Sequence, residues 1–299
     1  MRILLTGSSG LIGSELVPFL RVAGHSVTRL VRRPAHEGGK ELAWDPAERK
    51  LEPAALEAFD AVIHLGGVNI AARRWSAEFK QLFRESREQS TSLLVTTLAG
   101  LTHPPKVLVS ASAVGFYGDR GEETLDEQAP PGTGFLPSVC RAWEGATKVA
   151  ADKGIRVANL RIGVVLSAAG GALAKMLTPF KLGLGGRIGS GRQYMSWIAL
   201  DDVVEAIHHV LLNDELRGPV NTTSPNPVTN AEFTQTLGSV LGRPTLFPVP
   251  AFAARLAFGE MADALLLSSE RVVPAKLTQS GFAFRFPELI LALRHVLGK

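Results

Sequence analysis

The stretch Arg2–Arg33, RILLTGSSGLIGSELVPFLRVAGHSVTRLVRR, decides the fold of this 299-residue chain. It reads as a short apolar strand, a turn with Gly7, Gly10 and Gly13, an apolar helical pattern and a second strand. Gly7 permits a tight turn, Gly10 lets a pyrophosphate approach the backbone, and Gly13 lets the helix pack against the strand. Phosphates then lie at the helix N-terminus, where free N–H groups and the helix dipole favour anions. The pattern predicts a dinucleotide-binding unit rather than an ordinary turn with flexible glycines.

The end of the second strand predicts which dinucleotide is bound. An NAD site usually has an acidic residue here, on the ribose hydroxyls. This chain has Arg32 and Arg33 instead, with no acidic residue between Glu15 and Glu37. A carboxylate repels a 2′-phosphate, whereas a guanidinium binds it bidentately. The sequence therefore predicts NADP(H) as cofactor, and the alternative is that both arginines only keep the strand end solvated.

Composition excludes several classes of function. The chain is 45% hydrophobic and 20% charged with a net charge of +4, and no basic run interleaved with aromatics indicates nucleic-acid binding. No uninterrupted apolar stretch is long enough for a membrane span, and the start does not have the pattern of a signal peptide. One cysteine, Cys140, and scattered histidines give no metal site. We expect a cytoplasmic protein without metal, membrane or nucleic-acid partner.

Short apolar runs alternate with longer helical patterns through the first half of the chain, which is typical of a parallel sheet covered on both faces. The predicted fold is α/β, a Rossmann-like doubly wound parallel sheet with a smaller C-terminal α/β substrate-side domain. Its ligand crevice is expected at the carboxyl ends of the strands. The predicted strands are Ile3–Thr6, Ser26–Val31, Ala61–Leu65, Val107–Ala111 and Arg156–Leu160, and the predicted helices are Leu11–Ala23, Ala77–Leu101 and Leu136–Lys153.

A change in composition after Leu166 predicts the domain organisation. Residues 1–165 are expected to form the NADP-binding domain, with 198–222 returning to it. Residues 166–299 are mainly the substrate side, with a glycine-rich loop over 183–191 and a small terminal domain over about 248–299.

Thr6 and the glycine spacing resemble the short-chain dehydrogenase/reductase superfamily, in its extended or atypical branches. Such enzymes use a serine after a central strand and Tyr-x-x-x-Lys on the next long helix, for proton exchange during hydride transfer. Ser112 matches the serine, and Tyr117 matches a turn tyrosine that is normally structural. The chain contains no Tyr-x-x-x-Lys, and helix register places the missing pair near Val139 and Trp143.

The replacement sequence Cys140-Arg-x-Trp143-Glu144 is similar to that of an atypical, epimerase-like family. Motifs near the C-terminus, including Ser269–Pro274 and Gly281–Phe284, resemble the small domain of unknown function that ends members of this family. The resemblance covers essentially the whole chain. It implies the fold and NADP(H) binding, and it gives no substrate.

The candidate site residues fall into three groups by role. For catalysis they are Ser112, Tyr117 and Cys140. For the substrate they are Asn69, Arg74, Trp75, Arg87 and Trp197. For the cofactor they are Thr6, Gly7, Ser9, Gly10, Leu11, Ile12, Gly13, Arg32, Arg33, Leu65, Gly66, Gly67, Arg161 and Gly163.

Several of these residues have an equally plain structural interpretation. A single helical cysteine is often a small buried hydrophobe, arginines on a helix are often solvated, and tryptophans often belong to the core. Glu144 and Lys148, one helical turn apart, are expected to form a surface ion pair.

Two classes of function follow. The first is an NADP(H)-dependent, epimerase-like oxidoreductase acting on a small molecule, in which Ser112 orients the substrate and Tyr117, Cys140 or water replaces the missing acid. The second is a non-catalytic NADP(H)-binding regulator or redox sensor, which the loss of tyrosine and lysine favours. A homodimer through helices such as 77–101 is expected by analogy with the superfamily.

Overall fold

The computed structural model describes residues 1–36 and 40–299, and its central feature is a seven-stranded sheet. The strand order is β11-β7-β5-β4-β1-β2-β3, and the pairings from β5 through to β3 are parallel. The predicted α/β doubly wound sheet is thereby confirmed. The strands are β1 Arg2–Thr6, β2 Ser26–Val31, β3 Glu41–Ala43, β4 Ala61–His64, β5 Val107–Ala113, β6 Thr124–Leu125, β7 Arg156–Ile162, β8 Val164–Leu166, β9 Tyr194–Met195, β10 Trp197–Ala199, β11 Gly218–Thr222, β12 Val228–Thr229 and β13 Arg271–Val272.

Two of the three predicted helices are observed within two residues of their predicted bounds, and the third is divided. The stretch predicted as a single helix over 136–153 is two helices, because Thr147 donates its hydroxyl hydrogen to the Glu144 carbonyl at 2.6 Å and interrupts the regular ladder. The helices are α1 Leu11–Val22, α2 Ala77–Ala99, α3 Phe135–Ala146, α4 Lys148–Asp152, α5 Gly171–Lys181, α6 Leu200–Leu212, α7 Asn230–Leu241, α8 Ala251–Phe258, α9 Glu260–Leu265, α10 Ala275–Gln279 and α11 Leu289–Leu297.

Two compact units divide the chain. The first consists of Met1–Ser112, Val139–Leu160 and Ile207–Val220. Its core is formed by apolar side chains of the sheet and of the flanking helices, among them Leu4, Val62, Leu94 and Leu108. Folding removes these side chains from water, which stabilises the folded state by roughly 25 cal/mol for each square ångström of apolar surface buried. The core holds the carboxyl ends of β1, β4 and β5 in register.

The second unit consists of Ala113–Ser138, Arg161–Ala206 and Asn221–Lys299. It has its own apolar core, in which Trp197, Phe233 and Leu293 are buried. Its glycine-rich loop lies against a later segment, since a Cβ on Gly186 would stand 1.8 Å from the Phe247 carbonyl oxygen. Only glycine fits there, because two backbones meet at that point.

Within residues 1–36 and 40–299, no helix combines the length and the apolarity needed to cross a membrane.

Candidate functional site

A buried network joins the carboxyl ends of β1 and β4 in the first unit. The Thr6 hydroxyl accepts hydrogen bonds from the backbone N–H groups of Leu65 and Gly66, both at 3.1 Å, and lies 2.7 Å from Nδ1 of His64. His64 Nε2 lies 3.1 Å from the Thr91 hydroxyl on α2. Burial, and secondarily the charge of Arg87, lowers the pKa of His64 to about 4, so its imidazole is neutral. Thr6, predicted to contact the cofactor, thus fixes the backbone that forms the edge of the site.

The three glycines of the turn meet different steric demands. A Cβ on Gly13 would stand 2.2 Å from the Gly7 carbonyl oxygen, and Gly7 itself has a φ of 72° and lies against the backbone of Leu65. These two glycines are therefore required by the fold. A Cβ on Gly10 would have only the Gly7 oxygen nearby, at 3.3 Å, and Gly10 is exposed. The open space above Gly10 fits the close approach of a pyrophosphate to the backbone.

The N-terminus of α1 faces the same turn. Gly10 is its N-cap residue, no side chain caps the helix, and its first turn contains no acidic residue. The N–H groups of Leu11, Ile12 and Gly13 have no acceptor within their own helix. With the dipole of a 12-residue helix behind them, they form an anion site of the kind that binds phosphate. Ser9 is exposed beside them.

The two arginines after β2 have different surroundings. Arg33 donates two hydrogen bonds to Glu41 of β3, at 2.9 and 2.8 Å, and a third to the Pro34 carbonyl at 2.9 Å. The Glu41 carboxylate also pairs with Arg29 at 2.5 Å and accepts the His36 N–H. These hydrogen bonds, Arg33 first, lower the pKa of Glu41 to about 2. Arg32 is exposed and has no ion pair among the described residues.

Arg87 of α2 clamps the loop after β4. Its guanidinium donates to the carbonyl oxygens of Val68, at 3.0 Å, and Phe83, at 3.2 Å, and a Cβ on Gly67 would stand 3.2 Å from the Arg87 Cζ. It lies 3.6 Å from the centre of the Phe83 ring and 4.8 Å from that of Trp143. Burial lowers the pKa of Arg87 to about 10, an effect that Cys140 opposes. This half-buried geometry favours a positioning role for Arg87 over the predicted substrate contact.

The remaining predicted substrate residues of the first unit lie in the loop between β4 and α2. Asn69 is exposed and its Oδ1 accepts the Ala71 N–H at 2.9 Å. Trp75 donates its indole N–H to the Ile70 carbonyl at 3.1 Å. Arg74 is exposed. The local bonds of Asn69 and Trp75 shape the loop, and their contact with a substrate stays a prediction.

Ser112 and Glu144 form a hydrogen-bonded pair of reactive side chains in the first unit. The Ser112 hydroxyl donates to Glu144 Oε1 at 2.7 Å, although the residues are 32 positions apart. In the β4–β5 register His64 is opposite Ser110, so Ser112 lies two residues farther toward the carboxyl edge of the sheet. The Glu144–Lys148 ion pair predicted from the sequence is wrong, because Lys148 binds Asp152 instead, at 2.6 Å.

Cys140 and Trp143 lie on α3 next to this pair. The predicted register placed the replaced tyrosine and lysine near Val139 and Trp143, but the side chain that contacts Ser112 is Glu144. Cys140 precedes Glu144 by four residues and therefore lies on the same helix face, with the tyrosine-to-lysine spacing. Cys140 is buried near Arg87, and the buried indole N–H of Trp143 has no hydrogen-bond partner among the described residues.

Tyr117 and Arg161 of the second unit belong to a buried network. The Tyr117 hydroxyl lies 2.7 Å from Asn221 Oδ1 and 2.9 Å from the Asp126 carbonyl, and it accepts a hydrogen bond from Arg161 at 3.0 Å. Burial raises the pKa of Tyr117 to about 12. A fully buried phenol with three polar partners is disfavoured as a catalytic acid, and the Arg161 guanidinium, 3.4 Å from the Phe116 ring centre, is disfavoured as a cofactor ligand.

Gly163 and Trp197 have packing roles in the second unit. A Cβ on Gly163 would stand 2.5 Å from the Ser196 carbonyl oxygen. Trp197 is fully buried and donates its indole N–H to the Asn226 carbonyl at 3.0 Å. The predicted role of Trp197 as a wall of a substrate pocket is therefore disfavoured, because no ligand reaches a side chain without exposed surface.

Sequence reasoning missed three residues that organise the first unit: His64, Glu41 and Glu144. His64 ends β4 in line with Thr6, so its position at the sheet edge was a usable signal. Glu144 stands four residues after Cys140, which repeats the spacing of the missing motif. Glu41 gave no such signal, because its strand is only three residues long.

Comparison with known families agrees with this geometry. Residues 3–221 match the NAD dependent epimerase/dehydratase family, and residues 249–296 match a domain of unknown function, DUF1731. The chain belongs to the NAD dependent epimerase/dehydratase family. The predicted resemblance to an epimerase-like family with a small C-terminal domain is confirmed.

Relatives of this family member extend over nearly the whole chain. Epimerase family protein MT2273 of Mycobacterium tuberculosis is 49% identical over 280 residues, which cover 94% of this chain and 92% of the relative. Human epimerase family protein SDR39U1 is 36% identical over 99% of this chain and 100% of its own length. The crystal structure of human SDR39U1 (isoform 2) with NADPH matches with a TM-score of 0.92 and 35% identity, covering 100% of both chains.

Proposed function

We propose that this chain binds NADP(H) at the carboxyl edge of its sheet and is an epimerase-like oxidoreductase of a small carbonyl or hydroxyl compound. The contact that carries the proposal is the 2.7 Å hydrogen bond between Ser112 and Glu144. It unites a substrate-orienting hydroxyl with a carboxylate at the sheet edge where the superfamily performs proton transfer. The NADPH in the crystal structure of human SDR39U1 supports the choice of cofactor.

The residues of the turn fit this cofactor. The open space above Gly10 and the uncapped N-terminus of α1 would hold the pyrophosphate, and Arg32 would face the 2′-phosphate. The bound cofactor supplies or accepts a hydride. Gly66, bonded to Thr6, and Gly67, beside Arg87, add no side chains of their own to that edge of the site.

Ser112 and Glu144 would handle the proton in our proposal. Ser112 places its hydroxyl where a substrate oxygen is oriented, and Glu144 holds or releases the proton that this oxygen gains or loses. Cys140, one turn earlier on the same face, lies beside the Arg87 guanidinium. Tyr117 has no part in this proposal, since its hydroxyl is used in the second unit.

Turnover with a panel of aldehydes and ketones tests the proposal through NADPH consumption. With one substrate found, Ser112→Ala and Glu144→Gln should each lower kcat by 10²-fold or more, within the range of general acid–base effects. Lys148→Gln is the matched control, because Lys148 begins the next helix, four residues after Glu144, and binds only Asp152 among its described ion pairs. Equal activity of Glu144→Gln and Lys148→Gln would contradict the role of Glu144.

A non-catalytic NADP(H)-binding regulator is the second candidate. It is favoured by the absence of a lysine four residues after either tyrosine, where the chain has Gly121 and Ile198. In this case the protein binds NADPH and leaves it unchanged with every carbonyl compound offered.

The domain division at 165/166, a homodimer and a cytoplasmic location stay predictions. One relative, 39% identical, is named a chloroplastic homologue of SDR39U1 in Arabidopsis thaliana.

A further inference from the structure

The two adjacent arginines after β2 are separated by the carboxylate of Glu41. We infer that Glu41 sequesters Arg33 away from the cofactor, so that Arg32 alone distinguishes NADP(H) from NAD(H). This inference rests on the proposed cofactor site and assigns its selectivity to one residue. It also assigns to Glu41 a positioning role that the sequence did not predict.

Strand register shows where the Arg33 guanidinium lies. Glu41 of β3 is opposite Arg29 of β2, two residues before β2 ends at Val31. Arg33 follows the strand, and both of its Nη nitrogens donate to the Glu41 carboxylate, which also accepts the His36 N–H. The ribose of a dinucleotide lies beyond the carboxyl end of this strand. The charged group of Arg33 is therefore held against Glu41 and is not left unpaired for a 2′-phosphate.

The hydrogen bonds of Arg33 also indicate that Glu41 sequesters it. Nη1 donates to Glu41 and to the Pro34 carbonyl, and Nη2 donates to Glu41, so three of its five N–H groups are engaged. A bidentate pair with a phosphate needs two parallel donors on one side of the guanidinium. The Glu41 carboxylate already occupies the Nη1/Nη2 side of Arg33, and its negative charge weakens the attraction of the remaining Nε/Nη2 side for a phosphate.

Burial of the Glu41 side chain makes its pairing with Arg33 persistent. The Glu41 side chain is fully buried, whereas those of Arg33 and Arg29 are about half and one-third exposed, at 47% and 38%. A carboxylate without exposed surface is strongly disfavoured if it loses its partners. Release of Arg33 toward a cofactor phosphate would remove a major partner from Glu41. Arg32 makes no competing ion pair among residues 1–36 and 40–299, and its guanidinium is exposed.

Titration of the full-length protein with NADPH and NADH tests this inference, using the ratio of their Kd values. Arg32→Ala should reduce the preference for NADPH by at least about tenfold and leave the Kd for NADH unchanged, a change of roughly 1.4 kcal/mol. Arg33→Ala, the matched control one residue away, should keep the wild-type ratio within about twofold, a change of roughly 0.4 kcal/mol. A loss of preference in Arg33→Ala as large as in Arg32→Ala would overturn the inference.

Glu41→Gln should change the preference for NADPH in the opposite direction. It frees Arg33, so the preference for NADPH should rise by at least about threefold, or roughly 0.7 kcal/mol, and the rise should disappear in Glu41→Gln/Arg33→Ala. An unchanged or lower preference in Glu41→Gln would refute sequestration. Should Glu41→Gln fail to fold, the Arg32→Ala and Arg33→Ala pair decides. Wild-type protein that binds neither nucleotide would instead contradict the proposed function.

Discussion

The three turn glycines allow ligand binding and folding to be separated experimentally. Gly10 has φ −80° as the N-cap residue of α1, which alanine adopts without strain, and its added Cβ would meet only the Gly7 oxygen at 3.3 Å. Gly10→Ala should therefore change the free energy of unfolding by at most about 1 kcal/mol, since it is a modest change of cap residue. Its methyl group, however, would fill the space offered to the pyrophosphate.

The loss of affinity can be estimated from the contacts at stake. Displacing the pyrophosphate removes one or two charge-assisted hydrogen bonds to the N–H groups of α1, each worth about 1.5–3 kcal/mol. A net loss of about 2–3 kcal/mol raises the Kd for NADPH by roughly 30- to 150-fold. Fluorescence titration with NADPH measures this effect, and a thermal melt of the same sample measures stability.

Two matched variants complete the experiment. In Gly13→Ala the Cβ would stand 2.2 Å from the Gly7 carbonyl oxygen, so the helix must shift and stability should fall by about 2–3 kcal/mol or more. Gly145→Ala, in α3 with open space around its Cβ, should stabilise the helix by up to about 1 kcal/mol and leave NADPH binding unchanged. Undiminished NADPH affinity in Gly10→Ala would refute the pyrophosphate site.

Three further predictions concern buried polar groups. His64 has a pKa of 6.5 in the unfolded chain and about 4 in the folded protein, so the unfolded chain takes up the proton more readily. The contribution of His64 to the free energy of unfolding is therefore constant above about pH 7 and falls as the pH decreases toward 4. Between pH 7.5 and 5 this should cost about 2 kcal/mol in urea unfolding, and His64→Gln should remove that part of the pH dependence. Tyr117→Phe should lower the free energy of unfolding by about 1–3 kcal/mol, since Arg161 and Asn221 lose a partner, with NADPH affinity unaltered; a loss of turnover without loss of stability would restore its catalytic role. Trp197→Phe should destabilise by a similar amount, through the lost bond to Asn226, without changing the KM of any substrate found, and a raised KM would show that Trp197 does line the substrate pocket.

Local sequence was sufficient to predict the glycine turn of the proposed cofactor site. The spacing of Gly7, Gly10 and Gly13 is set by contacts within one turn and one helix, so the residues that must be close in space are also close in the chain. The alternation of apolar runs likewise determined the parallel sheet, because each βα unit buries its own apolar face. These features could be read without knowing how distant segments meet.

Only the tertiary structure shows which polar side chains meet in the rest of the proposed site. Ser112 and Glu144 are 32 residues apart, and Tyr117 and Asn221 are 104 apart, so only the packed fold shows which hydroxyl faces a carboxylate and which one is buried. Arg32 and Arg33 are equivalent in sequence, but strand pairing places Glu41 within reach of Arg33 and not of its neighbour. Sequence specifies the local conformation of each segment, whereas the pairing of charges and hydroxyls depends on registers and contacts between segments that no local pattern encodes.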